Sequence, residues 1–288
     1  MFITIFTPTY NRARLLSILF NSLTHQTKDC FEWVIVDDGS VDNTEQIVAG
    51  FIKEQKIDIR YYKQKNGGKH RAINNGLKVA RGELFFIVDS DDYLLNEAIE
   101  TIIQSYKSIQ NNNSYAGISC LGVSKKGTII GSGLSKSQID CNALDIRFKY
   151  HVTGDLSEVF KTQILRQFPF PENDNEKFCP EALVWNRIAQ KYMLRYFNEP
   201  IYVRDYQQGG LTSNIIKIRM NSPVASTTYY AELLSYDIPF MQKVKAAINY
   251  WRFYFCLSHK KIVIPLLWTW CLPLGALMHL RDLQLTKQ

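Results

Sequence analysis

Residues 85–92 read Phe85-Phe86-Ile87-Val88-Asp89-Ser90-Asp91-Asp92, an apolar run that turns abruptly into three acids within four positions. Four consecutive apolar residues fit a buried strand, and a core does not tolerate unpaired carboxylates, so the acids belong where the strand stops and solvent or a ligand begins. Side chains two apart on an extended chain point the same way, which lets Asp89 and Asp91 share one hard cation. The alternative for the same cluster is a helix cap, because Asp is favoured at helix N-termini and Tyr93 to Tyr106 has a helical pattern.

Working outward, short apolar runs alternate with amphipathic segments. Strands are expected over Phe2 to Thr7, Glu32 to Val36, Ile59 to Tyr62 and Glu83 to Val88, and helices over Arg14 to Thr24, Asn43 to Gln55 and His70 to Ala80. Such alternation implies right-handed β-α-β units, an α/β fold and a mostly parallel, Rossmann-like central sheet flanked by helices. Ligands of these sheets sit beyond the carboxyl ends of the strands. Here those ends carry Thr7-Pro8-Thr9-Tyr10-Asn11, Asp37-Asp38-Gly39-Ser40 and Asp89-Ser90-Asp91-Asp92. Beyond residue 114 the pattern is mixed, with β-like runs at Tyr115 to Val123, Thr128 to Ile130 and Leu194 to Val203, and a helix over Pro180 to Tyr192. Residues 217–258 read as helical and rich in aromatics, a composition suited to packing or to a membrane interface.

Six cysteines without a C-x-x-C pair suggest neither a zinc site nor a disulfide framework, and fit a reducing compartment. The N-terminus lacks the basic region and cleavage site of a secretory leader and reads as a first strand. Net charge is +7. That charge alone permits a nucleic-acid, membrane or phosphorylated partner. Because basic residues read as dispersed and the expected ligand edge is acidic, no nucleic-acid partner is expected. Ile262 to Leu280 holds 19 residues without a charge, broken by Pro265 and Pro273 and flanked by Lys260, Lys261 and Arg281. It is borderline for spanning a bilayer and suited to an interfacial anchor, a buried helix pair or an oligomer interface.

Four motifs stand in order: Thr7-Pro8-Thr9-Tyr10-Asn11-Arg12, Val36-Asp37-Asp38-Gly39-Ser40 with Asp42 and Thr44, Asn66-Gly67-Gly68-Lys69-His70, and Val88-Asp89-Ser90-Asp91-Asp92. In order and spacing they resemble the family 2 glycosyltransferases, an inverting group with the GT-A fold that uses nucleotide diphosphate sugars. A weaker pattern from Gly154-Asp155 through Gly209-Gly210-Leu211 extends the resemblance to about residue 214. The resemblance implies a catalytic domain over 1–214, with a nucleotide-sugar-binding half (1–110) and an acceptor-binding half (111–214). A helical extension (215–258) and an apolar, membrane-associating tail (259–288) would follow.

The resemblance assigns the donor to Thr9, Tyr10, Asn11, Arg12, Asp38, Gly68, Lys69, Arg71, Asp89 and Ser90. Tyr10 can stack on a nucleobase, and Asp38 resembles the carboxylate that reads a uracil ring nitrogen, favouring a UDP-sugar. Two glycines, a helix N-terminus and the cations Lys69 and Arg71 suit a diphosphate. Asp89-Ser90-Asp91 resembles the family's D-x-D element, with Asp91 and Asp89 as ligands of Mn²⁺ or Mg²⁺. Inverting transfer needs a carboxylate to take the acceptor's proton. Glu181 is the candidate, although Ala182 stands where the family often has Asp, and Asp155 is the reserve. The expected acceptor is a lipid-linked saccharide of cell-surface polysaccharide synthesis, met at the cytoplasmic face of the inner or plasma membrane by a peripheral or monotopic protein. Transfer directly to polyprenyl phosphate, or a non-catalytic nucleotide-sugar-binding protein, are the alternatives.

Overall fold

The computed structural model describes residues 2–204 and 214–285, so Gly209-Gly210-Leu211 lies outside the described residues. The chain divides into two compact units, residues 1–169 with 185–207, and residues 170–184 with 208–288.

The first unit contains the sheet. β1 (Ile3–Thr9), α1 (Ala13–Thr24), β2 (Phe31–Asp37), α2 (Thr44–Glu54), β3 (Asp58–Lys63), α3 (Lys69–Val79) and β4 (Leu84–Ile87) follow the expected alternation. Every residue of β1 and β2 is buried, polar Thr4 and Glu32 included, so neither strand has a solvent face. β1 pairs parallel with β2 and β4, and β2 pairs parallel with β3.

The helix expected from Tyr93 is replaced at its start by β5 (Tyr93–Leu94), and α4 (Ala98–Lys107) begins only later. Tyr93 and Leu94 pair antiparallel with Val203 and Tyr202, so sheet bonding outcompetes the local helical pattern. The acids at 89–92 therefore do not cap α4, whose N-cap is Glu97.

β6 (Tyr115–Ser124), β7 (Gln138–Cys141), α5 (Asp145–Phe148), β8 (Leu156–Lys161) and α6 (Thr162–Leu165) follow. α7 (Glu181–Ala189) crosses the division between the units, and β9 (Met193–Arg204) closes the sheet. The strand order is β3-β2-β1-β4-β8-β6-β9-β5, with β7 also on β9. β8 enters antiparallel between β4 and β6, β6 and β9 run parallel, and β5 and β7 lie antiparallel on β9. The sheet is thus mixed rather than mostly parallel. The parallel order holds over β1 to β4, which α1, α2 and α3 connect, and ends at β8. Residues 128–130 contribute only an isolated bridge, Val123 to Ile129.

A buried ionic group ties the sheet together. The fully buried Glu32 carboxylate accepts hydrogen bonds from Thr4 Oγ1 (2.7 Å), Arg60 Nη1 (2.8 Å) and the Arg81 amide (2.7 Å). Three elements beside β2 are thereby fixed by one buried charge.

The second unit is helical. Residues 217–258, expected to be helical, form α8 (Ile215–Met220), α9 (Pro223–Ser235) and α10 (Phe240–Tyr254). Buried Glu176 accepts the Val224 amide (2.6 Å) and the Ala225 amide (2.9 Å), so its charge closes the N-terminus of α9. Arg219 lies 5.4–5.6 Å from the ring centres of Phe178, Tyr229 and Tyr230.

The apolar tail forms a 3-10 turn (Leu266–Cys271) and then α11 (Leu272–Leu285), with Pro265 as N-cap of the turn and Pro273 in the first turn of α11, where proline costs little. Among the described residues no helix is long and apolar enough to cross a membrane. α11 packs on α10 through Gly275, where an added Cβ would lie 2.4 Å from Trp251 Cβ. A two-pronged ion pair from Arg252 to buried Asp282 (2.5 and 2.7 Å) holds it there.

Candidate active site

The carboxyl ends of β1, β2 and β4 place three loops of the first unit side by side. Asn11, at a left-handed φ of 53°, donates its amide to Ser40 Oγ (2.8 Å), and its Oδ1 accepts the Val41 amide (2.9 Å). Asp42 accepts the Ala13 amide (3.2 Å) and the Thr44 hydroxyl (2.6 Å). Burial alone would raise the Asp42 carboxyl; these hydrogen bonds overrule it and hold it below the ordinary range. Asn11 and Asp42 therefore bind the β1 loop to the β2 loop. Tyr10 stays about half exposed at the rim, open to a stacking partner. Thr9 Oγ1 is buried with no hydrogen-bond partner among the described residues.

Asp37 is structural, accepting the Ser40 amide (2.7 Å) and the Tyr61 hydroxyl (2.6 Å). Asp38 faces the glycine turn before α3. Its Oδ1 accepts Gln64 Nε2 (2.7 Å) and the Gly67 amide (2.8 Å), and its Oδ2 accepts the Gly68 amide (2.7 Å) and Asn66 Nδ2 (3.1 Å). Those four donors fill the carboxylate's lone-pair sites. Gly68, at φ 98°, adopts a conformation open to glycine, and from it α3 starts with Lys69, His70 and Arg71 in its first turn. The Arg71 side chain lies against Gly67, within 2.7 Å of where a Cβ would stand.

At the end of β4, Lys69 Nζ lies 2.6 Å from Asp89 Oδ1, and the Asp89 amide donates to the Tyr202 hydroxyl oxygen (2.8 Å). Burial pushes the Asp89 carboxyl up, but the Lys69 and Arg204 charges overrule it and hold it low. Asp91 moves the other way: burial and then the charge of Asp89 raise it, against the pull of Arg12 and Lys69. A carboxylate raised by its ionised neighbour in this way fits a hard divalent cation. Among the described residues no group of three or more His, Cys, Asp or Glu side chains is arranged to hold a metal, so diphosphate and water oxygens would have to complete the shell, as magnesium commonly requires. Ser90 is buried between the two acids in the chain.

Arg204, at the end of β9, escaped the sequence reading. It stacks on Tyr202 at 4.5 Å, reaches Asp92 at 3.8 Å and donates to the Leu156 carbonyl (2.9 Å). Burial works against its charge, and Tyr202, Asp155, Asp92 and Asp89 hold it in place. The structure thus gathers Arg12, Lys69, Asp89, Asp91, Asp92, Asp155 and Arg204 on one edge. Asp155 itself is exposed. Glu181 opens α7 in the second unit.

Residues 4–151, about half of the chain, match glycosyl transferase family 2, and the chain belongs to that family. It is 30% identical over 197 residues to the GalNAc(5)-diNAcBac-PP-undecaprenol beta-1,3-glucosyltransferase of Campylobacter jejuni, covering 66% of this chain and 60% of that protein. It is 29% identical over 182 residues to the poly(ribitol-phosphate) beta-N-acetylglucosaminyltransferase TarS of Staphylococcus aureus, covering 62% of this chain but 30% of that protein. The match thus spans under two thirds of each relative's length. Among solved structures, S. aureus TarS 1–349 in complex with UDP-GlcNAc aligns with a TM-score of 0.66 at 21% identity, over 96% of this chain and 79% of that one. Mannosyltransferase PcManGT from Pyrobaculum calidifontis, in complex with GDP-Man and Mn²⁺, aligns with a TM-score of 0.57 at 19% identity, over 96% and 73%. These likenesses establish an α/β, GT-A-like fold with a mixed central sheet flanked by helices.

Proposed function

We propose that the chain transfers a sugar from a UDP-sugar, with inversion, to a hydroxyl of a lipid-linked saccharide in cell-surface polysaccharide synthesis, at the cytoplasmic face of a membrane. The observation that carries the reading is the convergence of Asp89, Asp91, Lys69 and Arg12 beside the glycine turn that opens α3. Membership of family 2 and the UDP-GlcNAc bound to TarS support the donor class.

In this reading Tyr10 stacks on uracil, and Asp38 accepts the uracil N–H in exchange for the Gln64 amide. The backbone amides at the start of α3, with Lys69 and Arg71, hold the diphosphate. Asp91 and Asp89 would hold Mn²⁺ or Mg²⁺, which when bound offsets charge on the departing UDP. Lys69 orients Asp89 and adds positive charge on the leaving-group side, and Arg204 helps Lys69 keep Asp89 ionised. Glu181 takes the proton of the acceptor hydroxyl, with Asp155 as the second candidate.

A non-catalytic donor-binding protein is the competing reading, favoured by Ala182 where the family often has an acid. The test is a thermal-shift and turnover screen of UDP-sugars with and without Mn²⁺. A donor at a hundredfold its Kd raises stability by about 2.7 kcal/mol, and Asp91→Asn should erase that gain. Donor hydrolysis or transfer that survives Asp155→Asn but not Glu181→Gln assigns the base. No shift with any UDP-sugar overturns the donor reading, and binding without turnover across an acceptor panel supports the competing one.

A further inference from the structure

The net charge of +7 is not dispersed. Residues 240–288 hold seven Lys and Arg (Lys243, Lys245, Arg252, Lys260, Lys261, Arg281, Lys287) against one acid, Asp282, a net +6 that leaves +1 for the first 239 residues. The basic residues themselves are spread along the chain, as expected; it is the acids that are missing from this segment. The lone acid is already matched by Arg252. Lys245, Lys260, Lys261 and Arg281 are exposed.

The same segment is turned inside out. Its buried positions, Ile264, Trp268, Cys271, Gly275 and Asp282, recur at helical spacing and include a glycine and a carboxylate. A second stripe, Val263, Leu267, Trp270, Leu274 and Leu277, recurs every three or four residues, and each member is 48–71% exposed. Leu266 beside it is 76% exposed. A soluble helix buries its leucines; this one leaves them exposed and buries a carboxylate. Backbone and ring contacts fix the arrangement, with Trp251 Nε1 donating to the Trp268 carbonyl (2.9 Å) and the Val263 amide donating to the Tyr250 hydroxyl (3.1 Å).

We infer that residues 260–281 form a monotopic docking face for an anionic lipid bilayer, the apolar stripe entering the headgroup boundary while the flanking lysines and arginine meet lipid phosphates. It deepens the reading above by naming the surface at which a lipid-linked acceptor is met, and rests on that reading for the acceptor alone. Charge selects this occupant over a second copy of the chain. A self-complementary interface built on this face would bring two copies of the exposed Lys260, Lys261 and Arg281 together, whereas an anionic leaflet attracts them. Leucines beside an exposed Trp and cations are the residue types that settle at a bilayer interface.

The test is sedimentation of the full chain with vesicles of phosphatidylcholine alone and of phosphatidylcholine with phosphatidylglycerol, with UDP binding measured in parallel. The chain should bind the anionic vesicles, and more weakly as salt rises. At about 1 kcal/mol per charge, Lys260→Ser with Lys261→Ser should lower partitioning roughly 30-fold. Leu267→Ser, Trp270→Ser and Leu277→Ser together should abolish it. Because these side chains are exposed, both variants should keep the wild-type melting temperature and UDP affinity, so failure of docking is distinguishable from failure of the donor reading. Absence of binding to either vesicle, binding indifferent to both variants, or a lipid-free dimer that the triple variant dissociates without any vesicle binding would each overturn the inference.

Discussion

Asp38→Asn exchanges one side-chain oxygen for an NH₂ and should do disproportionate damage. The Asp38 carboxylate accepts four hydrogen bonds, and each oxygen serves one backbone amide, Gly67 for Oδ1 and Gly68 for Oδ2. The substituted side chain must place its NH₂ on one side or the other. Gln64 and Asn66 can turn their amides to suit it, although Gln64 would then lose its acceptance of Asn75 Nδ2 (2.6 Å). A peptide N–H cannot turn. Whichever way the new amide settles, one buried glycine N–H faces a donor, at a cost of about 1–3 kcal/mol, and the remaining bonds lose charge assistance worth about another 1 kcal/mol. The expected loss is about 2–4 kcal/mol, equivalent to roughly 5–15 °C in melting temperature for a domain of this size. Hydrogen exchange locates it: the Gly67 and Gly68 amides should exchange faster while β1 and β2 stay protected. A melting temperature within about 1 °C of the parent, with Gly67 and Gly68 still protected, would refute the reasoning.

Three further outcomes follow from the same structure. Glu32 is held below the usual carboxylate range, since burial raises it but the Thr4 hydroxyl, the Arg81 amide and Arg60 overrule that effect. Its stabilisation is therefore complete above the unfolded value of about 4.3 and lost as pH falls through the lower folded value; Glu32→Gln should cost about 2–4 kcal/mol at neutral pH and flatten the acid side of the urea-stability profile. Arg204→Gln should lower turnover at least about tenfold by removing the cation that faces Asp89 and Asp92, and Arg204→Lys should restore part of it, read as kcat/KM with folding checked by circular dichroism. Glu176→Ala strips the buried acceptor from the Val224 and Ala225 amides and should cost about 2–3 kcal/mol, with faster exchange in α9 and none in the sheet.

The β1 to β4 half was legible because short, mostly apolar strands alternate with amphipathic helices, and because polar residues pile up where the strands stop. β7 and β8 were not legible, being 4 and 6 residues long with no distinctive flanks. Tyr93 and Leu94 misled for a different reason: their pairing partner lies more than a hundred residues away, and no local period reports it. The same distance hid Arg204, which reaches the acidic edge only because β9 runs between β6 and β5. Asp38 was visible as an acid beyond β2. That it holds the Gly67-Gly68 turn follows only once β3 sets residues 64–68 alongside it.

The Arg252–Asp282 pair also bears on the speed of any encounter that α11 makes. Many amphipathic segments are unstructured in solution and form their helix on arrival, so part of each contact is spent on ordering the chain. Here the helix is clamped to α10 beforehand by a charge-assisted fork and a glycine contact. Its outer leucines are presented as a finished surface, like a printed stamp rather than a setting resin. Contact then carries little folding entropy. The far-ultraviolet dichroism of the protein should be the same on and off a surface, and exchange between the two should be fast and reversible.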